Sequence, residues 1–202
     1  QFGSGVGPDV LEALQELDRK GAKGIILDLR NNPGGLLNEA VNVASNFIAE
    51  GPVVHSKHRD GVKETYKVNQ SYKHYEIPLV VLVNGGSASA SEIVSGAVQD
   101  TGVGLLVGNT TFGKGTVQNI IPLNDCSAFN MTTARYYTPN DRFIHESGLE
   151  PDVKVELDID RFKEKGEDNQ LIKAKELLKE MINGKTREEI IEGHKQPLKK
   201  AS

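Results

Sequence analysis

The chain has 202 residues, 37% hydrophobic and 26% charged, with a formal net charge of −4 at pH 7. That is enough chain for one full-sized domain, and the composition excludes wholesale disorder. The mixed, slightly acidic charge leaves no electrostatic footprint for nucleic acid or an anionic membrane, and no apolar run approaches the roughly 20 residues of a membrane span.

In chain order, Pro8 and Asp9 mark a first helical turn, because proline suits the first helical position and an acid suits the dipole. Val10, Leu11, Leu14 and Leu17 recur at helical spacing, and Gly21 stops the helix. Residues 24–30 (GIILDLR) read as a buried strand, followed by dense turn chemistry at Asn31-Asn32-Pro33-Gly34-Gly35. Helical spacing resumes over 36–50 and ends at Gly51-Pro52. Residues 52–57 and 62–68 flank Arg59-Asp60-Gly61 and predict a hairpin. After a polar loop at 69–76, residues 79–83 (LVVLV) are the clearest buried strand.

A helix is expected over 89–101, then strands over 105–107, 116–123 and 129–138, and an alternating pattern ending at Leu157. Asp168 opens the last strongly amphipathic helix, closed by Asn183-Gly184. From Lys185 the chain is charged, and Thr186 with Glu189 gives either a capping box or a frayed tail. Strand and helix alternate early and strands dominate later, which argues an α/β domain with a mixed sheet. The single cysteine, Cys126, excludes an internal disulfide, and with no ligand spacing around it reads as a bystander thiol.

The chemistry gathers where the LVVLV strand meets the next helix. Ser87, Ser89 and Ser91 stand in a tract of tiny residues, with Glu92 three positions after Ser89. A helix N-terminus offers unpaired N–H groups and partial positive charge, which suit an oxyanion formed when a serine attacks a carbonyl. On spacing alone Ser89 and Glu92 read as a capping box before they read as a nucleophile's setting. Lys114, between Gly113 and Gly115, supplies what a cap does not need: an amine that burial beside Ser89 would leave neutral, as a general base. Gly108 and Gly113-Lys114 nearly spell a phosphate-binding loop, but Gly115 stands where a magnesium-binding hydroxyl belongs, and a strand pattern follows instead of a helix.

Residues 84–92 (NGGSASASE), 113–118 (GKGTVQ), 27–35 (LDLRNNPGG), 132–137 (TTARYY) and 148–153 (GLEPDV) together resemble the C-terminal processing, or tail-specific, protease family. The resemblance runs from about Pro8 to about Ile182. It implies a crotonase- and ClpP-like α/β spiral with a mixed sheet and flanking helices. It implies Ser89 as nucleophile, Lys114 as general base and Gln118 orienting the lysine, with an oxyanion hole from the amide of Ala90 and that of Gly34 or Gly35. It implies no metal and no cofactor, in keeping with scattered histidines; His145 is expected on an exposed loop, with lining of the substrate groove as the alternative. An acidic position matching Asp100 has been proposed in that family as a third catalytic member. Three helical turns, about 16 Å, separate Asp100 from Ser89, so it is expected to be a helix-end structural acid. Gln118 would stand about 13 Å from Lys114 on a fully extended strand, so the glycines must fold its start.

Members of the family usually carry a PDZ domain upstream. The expected organisation here is a protease core over 1–184, its first strand shortened to Gln1-Phe2, with no PDZ domain or signal peptide, and a charged tail over 185–202. The implied function is a serine endopeptidase cutting proteins at or near their C-termini, outside the cytoplasm, in the bacterial envelope or an organelle lumen. Its partner would be an extended substrate strand, with no nucleic acid, no stable membrane insertion and homo-oligomerisation open. A catalytically silent peptide-binding module using the same groove is the alternative, and acyl-thioester chemistry a weaker third.

Overall fold

The computed structural model describes residues 1–125 and 127–194. Cys126 and the end of the charged tail lie outside them. Both parallel and antiparallel strands are present, as expected of a mixed α/β fold, and they are divided between two four-stranded sheets.

The first sheet is parallel throughout, in the order β1-β4-β5-β8: β1 (Ile25–Asp28), β4 (Leu79–Val83), β5 (Leu105–Gly108) and β8 (Val153–Lys154). Its centre must be apolar on both faces because helices cover both. Alternate residues of β4 accordingly serve two cores. Leu79, Val81 and Val83 pack with Val41 and Ala44 of α2 (Leu37–Ala44) and with Ile93, Val94 and Ala97 of α3 (Ala90–Thr101). Val80 and Leu82 pack with Ala174 and Leu177 of α5 (Asn169–Ile182). All five β4 side chains are fully buried, each contributing about 1.5–3 kcal/mol by leaving water. α1 (Val6–Arg19) lies against α2, where Gly7 N donates to Glu39 Oε2 at 2.7 Å, and buries Leu14 in the same core.

The second sheet is antiparallel, in the order β3-β2-β7-β6: β2 (Pro52–His58), β3 (Lys63–Lys67), β6 (Thr116–Pro122) and β7 (Ala128–Tyr137). The β2–β3 hairpin turns at Asp60-Gly61, where Asp60 Oδ1 accepts from the Val62 amide at 3.0 Å and Gly61 takes φ +87°.

Three stretches differ from the sequence expectation. The helix expected over 36–50 stops at Ala44. Ser45 Oγ donates to Val41 O at 2.6 Å and Asn46 Nδ2 to Asn42 O at 3.0 Å, while the next amides tighten onto carbonyls three residues back. Phe47 and Ile48 are buried all the same. α4 (Ile159–Lys165), capped by Asp158, was not expected; it buries no residue, so it carries no apolar stripe to read. Within the expected tail, residues 187–194 form a docked helix, α6 (Arg187–His194). The Thr186/Glu189 capping box closes in both directions, Ile190 is fully buried, and Arg187 pairs with Asp152 at 2.8 Å. Among the described residues, no helix is long and apolar enough to cross a membrane.

Candidate active site

Ser89 is the residue at which β4 hands over to α3. Its backbone stands at φ 54°, ψ −116°, far from the extended conformation of an ordinary helix cap and in a region costly for any residue with a Cβ. Neighbouring bonds hold it there. The Ser89 amide donates to Glu92 Oε2 at 2.9 Å, Ala88 N to Asn32 O at 3.0 Å, and Ser87 Oγ to Leu29 O at 2.7 Å. Ser91 is fully buried, and its hydroxyl donates to Asn32 O at 2.8 Å. Of the three serines, the two outer ones are thus fastened to the loop after β1. Ser89, half-buried, lines a cleft.

The loop after β1 is drawn against this turn. Asn31 and Asn84 exchange hydrogen bonds of 2.9 and 3.0 Å, amide to side chain and side chain to side chain. Gly34 lies so close to the serine turn that a Cβ there would stand 2.5 Å from Ala88 O and 2.7 Å from Ala90 N. The Gly34 amide is already engaged, donating to Asn32 Oδ1 at 3.0 Å. The Gly35 and Ala90 amides have no acceptor in the described residues' backbone hydrogen bonding, and Gly35 lines the cleft. Of the two glycines left open by the sequence, Gly35 is the one with a donor to offer.

Lys114 belongs to the crossing from β5 to β6. Its amide donates to Glu92 Oε2 at 2.8 Å, and Gly113 N and Thr111 Oγ1 donate to Glu92 Oε1 at 2.7 and 2.5 Å. Glu92 is fully buried. A carboxylate taken out of water is stable there only because its lone pairs are filled, and here four donors fill them. The flanking glycines admit a buttress: a Cβ on Gly113 would meet Gly148 N at 2.9 Å, and one on Gly115 would meet His145 N at 2.8 Å. His145, expected on an exposed loop, is half-buried with Nδ1 3.2 Å from Gly113 O. Asp100 pairs with Arg142 and accepts from Asn140 N at 2.8 Å, so it anchors the start of that buttress from the far end of α3.

Ser89, Lys114, Gln118 and Gly35 line one cleft of about 360 Å³. The β6–β7 register slips between Val117 and Gln118, leaving Thr133 without a partner; such a bulge bends and twists the strand. The extra residue lies on β7, opposite the stretch of β6 whose Thr116, Val117 and Gln118 line the cleft. Leu36, Leu37, Thr116, Val117 and Tyr136 complete the wall, which mixes apolar and polar groups. Burial, helped by the negative charge Tyr66 would carry, pushes the Tyr136 phenol up to about 12, so it stays protonated. Two contributions were not legible beforehand: the grip of Glu92 on the lysine loop, and Tyr136 as cleft lining. The Ser89-to-Glu92 spacing was the available signal for the first, but it reads as a cap alone.

The profile of peptidase family S41 matches residues 1–155. The chain is 43% identical over 164 residues to a carboxyl-terminal-processing protease of Synechocystis, covering 81% of this chain and 38% of that protein. It is 41% identical over 157 residues to the carboxy-terminal processing protease CtpA of Bacillus subtilis, covering 77% of this chain and 34% of that one. The chain thus spans well under half the length of these relatives. Among solved structures, the photosystem II D1 C-terminal processing protease superposes with a TM-score of 0.72 at 40% identity, over 77% of this chain and 40% of that chain. The match takes in both loops that meet at Ser89 and the crossing that carries Lys114, and on that basis the chain belongs to peptidase family S41.

Proposed function

We propose that this chain is the protease core of a serine endopeptidase that cleaves protein substrates at or near their C-terminal region, with Ser89 and Lys114 as a dyad. The observation that carries it is the shared cleft: Ser89, Lys114, Gln118 and Gly35 all line it. Lys114, as general base, takes the Ser89 hydroxyl proton as Oγ bonds to the carbonyl carbon. Charge builds on the carbonyl oxygen, where the Gly35 and Ala90 amides receive it. The C–N bond then breaks, and the departing amine takes the proton from Lys114. Water, deprotonated in turn by Lys114, releases the acyl group and restores Ser89. Gln118 steadies the lysine, and Gly34 contributes its lack of a side chain, its amide being engaged elsewhere.

An extended substrate adds to β6, one of the two edge strands of its sheet among the described residues and the one that lines the cleft. Apolar side chains of Leu36, Leu37 and Val117 favour an apolar residue there. The resemblance carries with it a setting outside the cytoplasm. Cleavage of a quenched fluorescent peptide tests the function: Ser89→Ala and Lys114→Ala are each expected to lose at least about a thousandfold in kcat/KM. Peptide binding without turnover in the wild-type chain would establish the silent module instead.

A further inference from the structure

The Gly35 amide is aimed by a residue outside both active-site loops. Phe2 N donates to Gly34 O at 2.9 Å, and Phe2 O accepts from Leu36 N at 2.8 Å, a one-residue parallel bridge to Gly35. Gly34 C=O and Gly35 N–H belong to one peptide unit. That unit is trans, so the two groups point in opposite directions. A carbonyl held on Phe2 therefore turns the Gly35 N–H to the other side. The fit is close enough to require glycine: Gly35 stands at φ +149°, and a Cβ on it would lie 2.2 Å from Phe2 O.

The Phe2 side chain keeps this bridge in place. It is 3% exposed and belongs to the main core, whereas Gln1 and Gly3 are exposed and offer no anchor. We propose that Phe2 is a positioning residue of the oxyanion hole: its buried ring holds the first residues of the chain against Gly34–Leu36, and its backbone sets the direction of the Gly35 donor. The inference rests on the peptidase function above. A donor turned out of line fails at the transition state and leaves ground-state binding intact, since the amide's partner exists only once the oxyanion forms.

The test compares Phe2→Ala with Phe2→Leu, each checked for folding by near-UV circular dichroism at the assay temperature. Phe2→Ala is expected to lower kcat about 10- to 100-fold with KM nearly unchanged. It should weaken a peptide aldehyde, whose hemiacetal places an oxyanion in the hole, by a similar factor, and leave the matching peptide alcohol unaffected. Phe2→Leu, which refills most of the site, should recover most of the activity. A second variant leaves every side chain in place: an ester at Leu36 removes only the N–H that Phe2 O accepts, and kcat should fall in the same direction. Unchanged kcat in a folded Phe2→Ala chain, or equal loss of aldehyde and alcohol affinity, overturns the inference while the peptidase function stands. A wild-type chain inert to both substrate and a serine-reactive fluorophosphonate overturns the two together.

Discussion

The backbone amides of Ser89 and Lys114 converge on a single atom, Oε2 of Glu92, at 2.9 and 2.8 Å. Two residues far apart in sequence are thus set relative to one another by one buried carboxylate, whose second oxygen holds Thr111 and Gly113. Glu92→Gln keeps the shape but points an NH2 at donors. At least one buried amide then lacks an acceptor, at a cost of about 1–3 kcal/mol. A lowered melting temperature and at least a tenfold fall in kcat are expected; a variant with wild-type melting and turnover would show that the carboxylate is not what joins the two loops.

Gly34→Ala tests the approach of the two active-site turns. The new Cβ meets backbone atoms at 2.5 and 2.7 Å and sits at φ +93°, so the loop must move away from Ala90. Catalysis should fall by roughly two orders of magnitude, more than stability loss alone explains. Gly51→Ala makes a control: it also has positive φ, at +96°, but open space around it. It is expected to lose stability without losing kcat in the folded fraction.

Asp100 has a different signature from a proton-transfer group. It holds Arg142 and Asn140 at the foot of the segment that braces Gly113 and Gly115. Asp100→Asn, which keeps one acceptor, should retain more activity than Asp100→Ala, and both should keep the limbs of the wild-type pH–rate profile. A shifted limb in Asp100→Asn would make it a titrating participant.

Asp168 caps α5 and pairs with Arg30 at 2.7 Å. Hydrogen bonding from the Arg30 guanidinium holds its carboxyl below the ordinary value of 3.8. A depressed folded-state value stabilises the fold above the unfolded-state value and loses that contribution as pH falls through the folded one. Melting temperature followed downward from neutral pH should therefore fall more steeply below about pH 4 in the wild-type chain than in Asp168→Asn. Parallel curves would remove the pair from the acid response.

Much of this was legible because it is local. The LVVLV run of β4, the Asp60-Gly61 turn and the stripe of α5 each declare themselves within a few residues. Ser89, Lys114 and Gln118 were recognisable as chemical types in a motif order. What stayed hidden depends on contacts distant in sequence. Whether Gly34 or Gly35 has a spare donor is decided by Asn32, and the direction of Gly35 by Phe2. Glu92 spells a helix cap in sequence and becomes a joint only when the Thr111–Lys114 loop arrives. Ser45 and Asn46 cut α2 short through side-chain bonds that a hydrophobic pattern does not register.

Ser89 hangs from the parallel sheet, while Lys114 rides on the crossing into the antiparallel one. Sliding one sheet past the other would lengthen the proton's path without breaking a rung of either ladder. Shear alone would part the proposed dyad, and the work of parting it falls on the Glu92 carboxylate, on the Phe112-to-Ser87 bond beside it and on the core that the two sheets share.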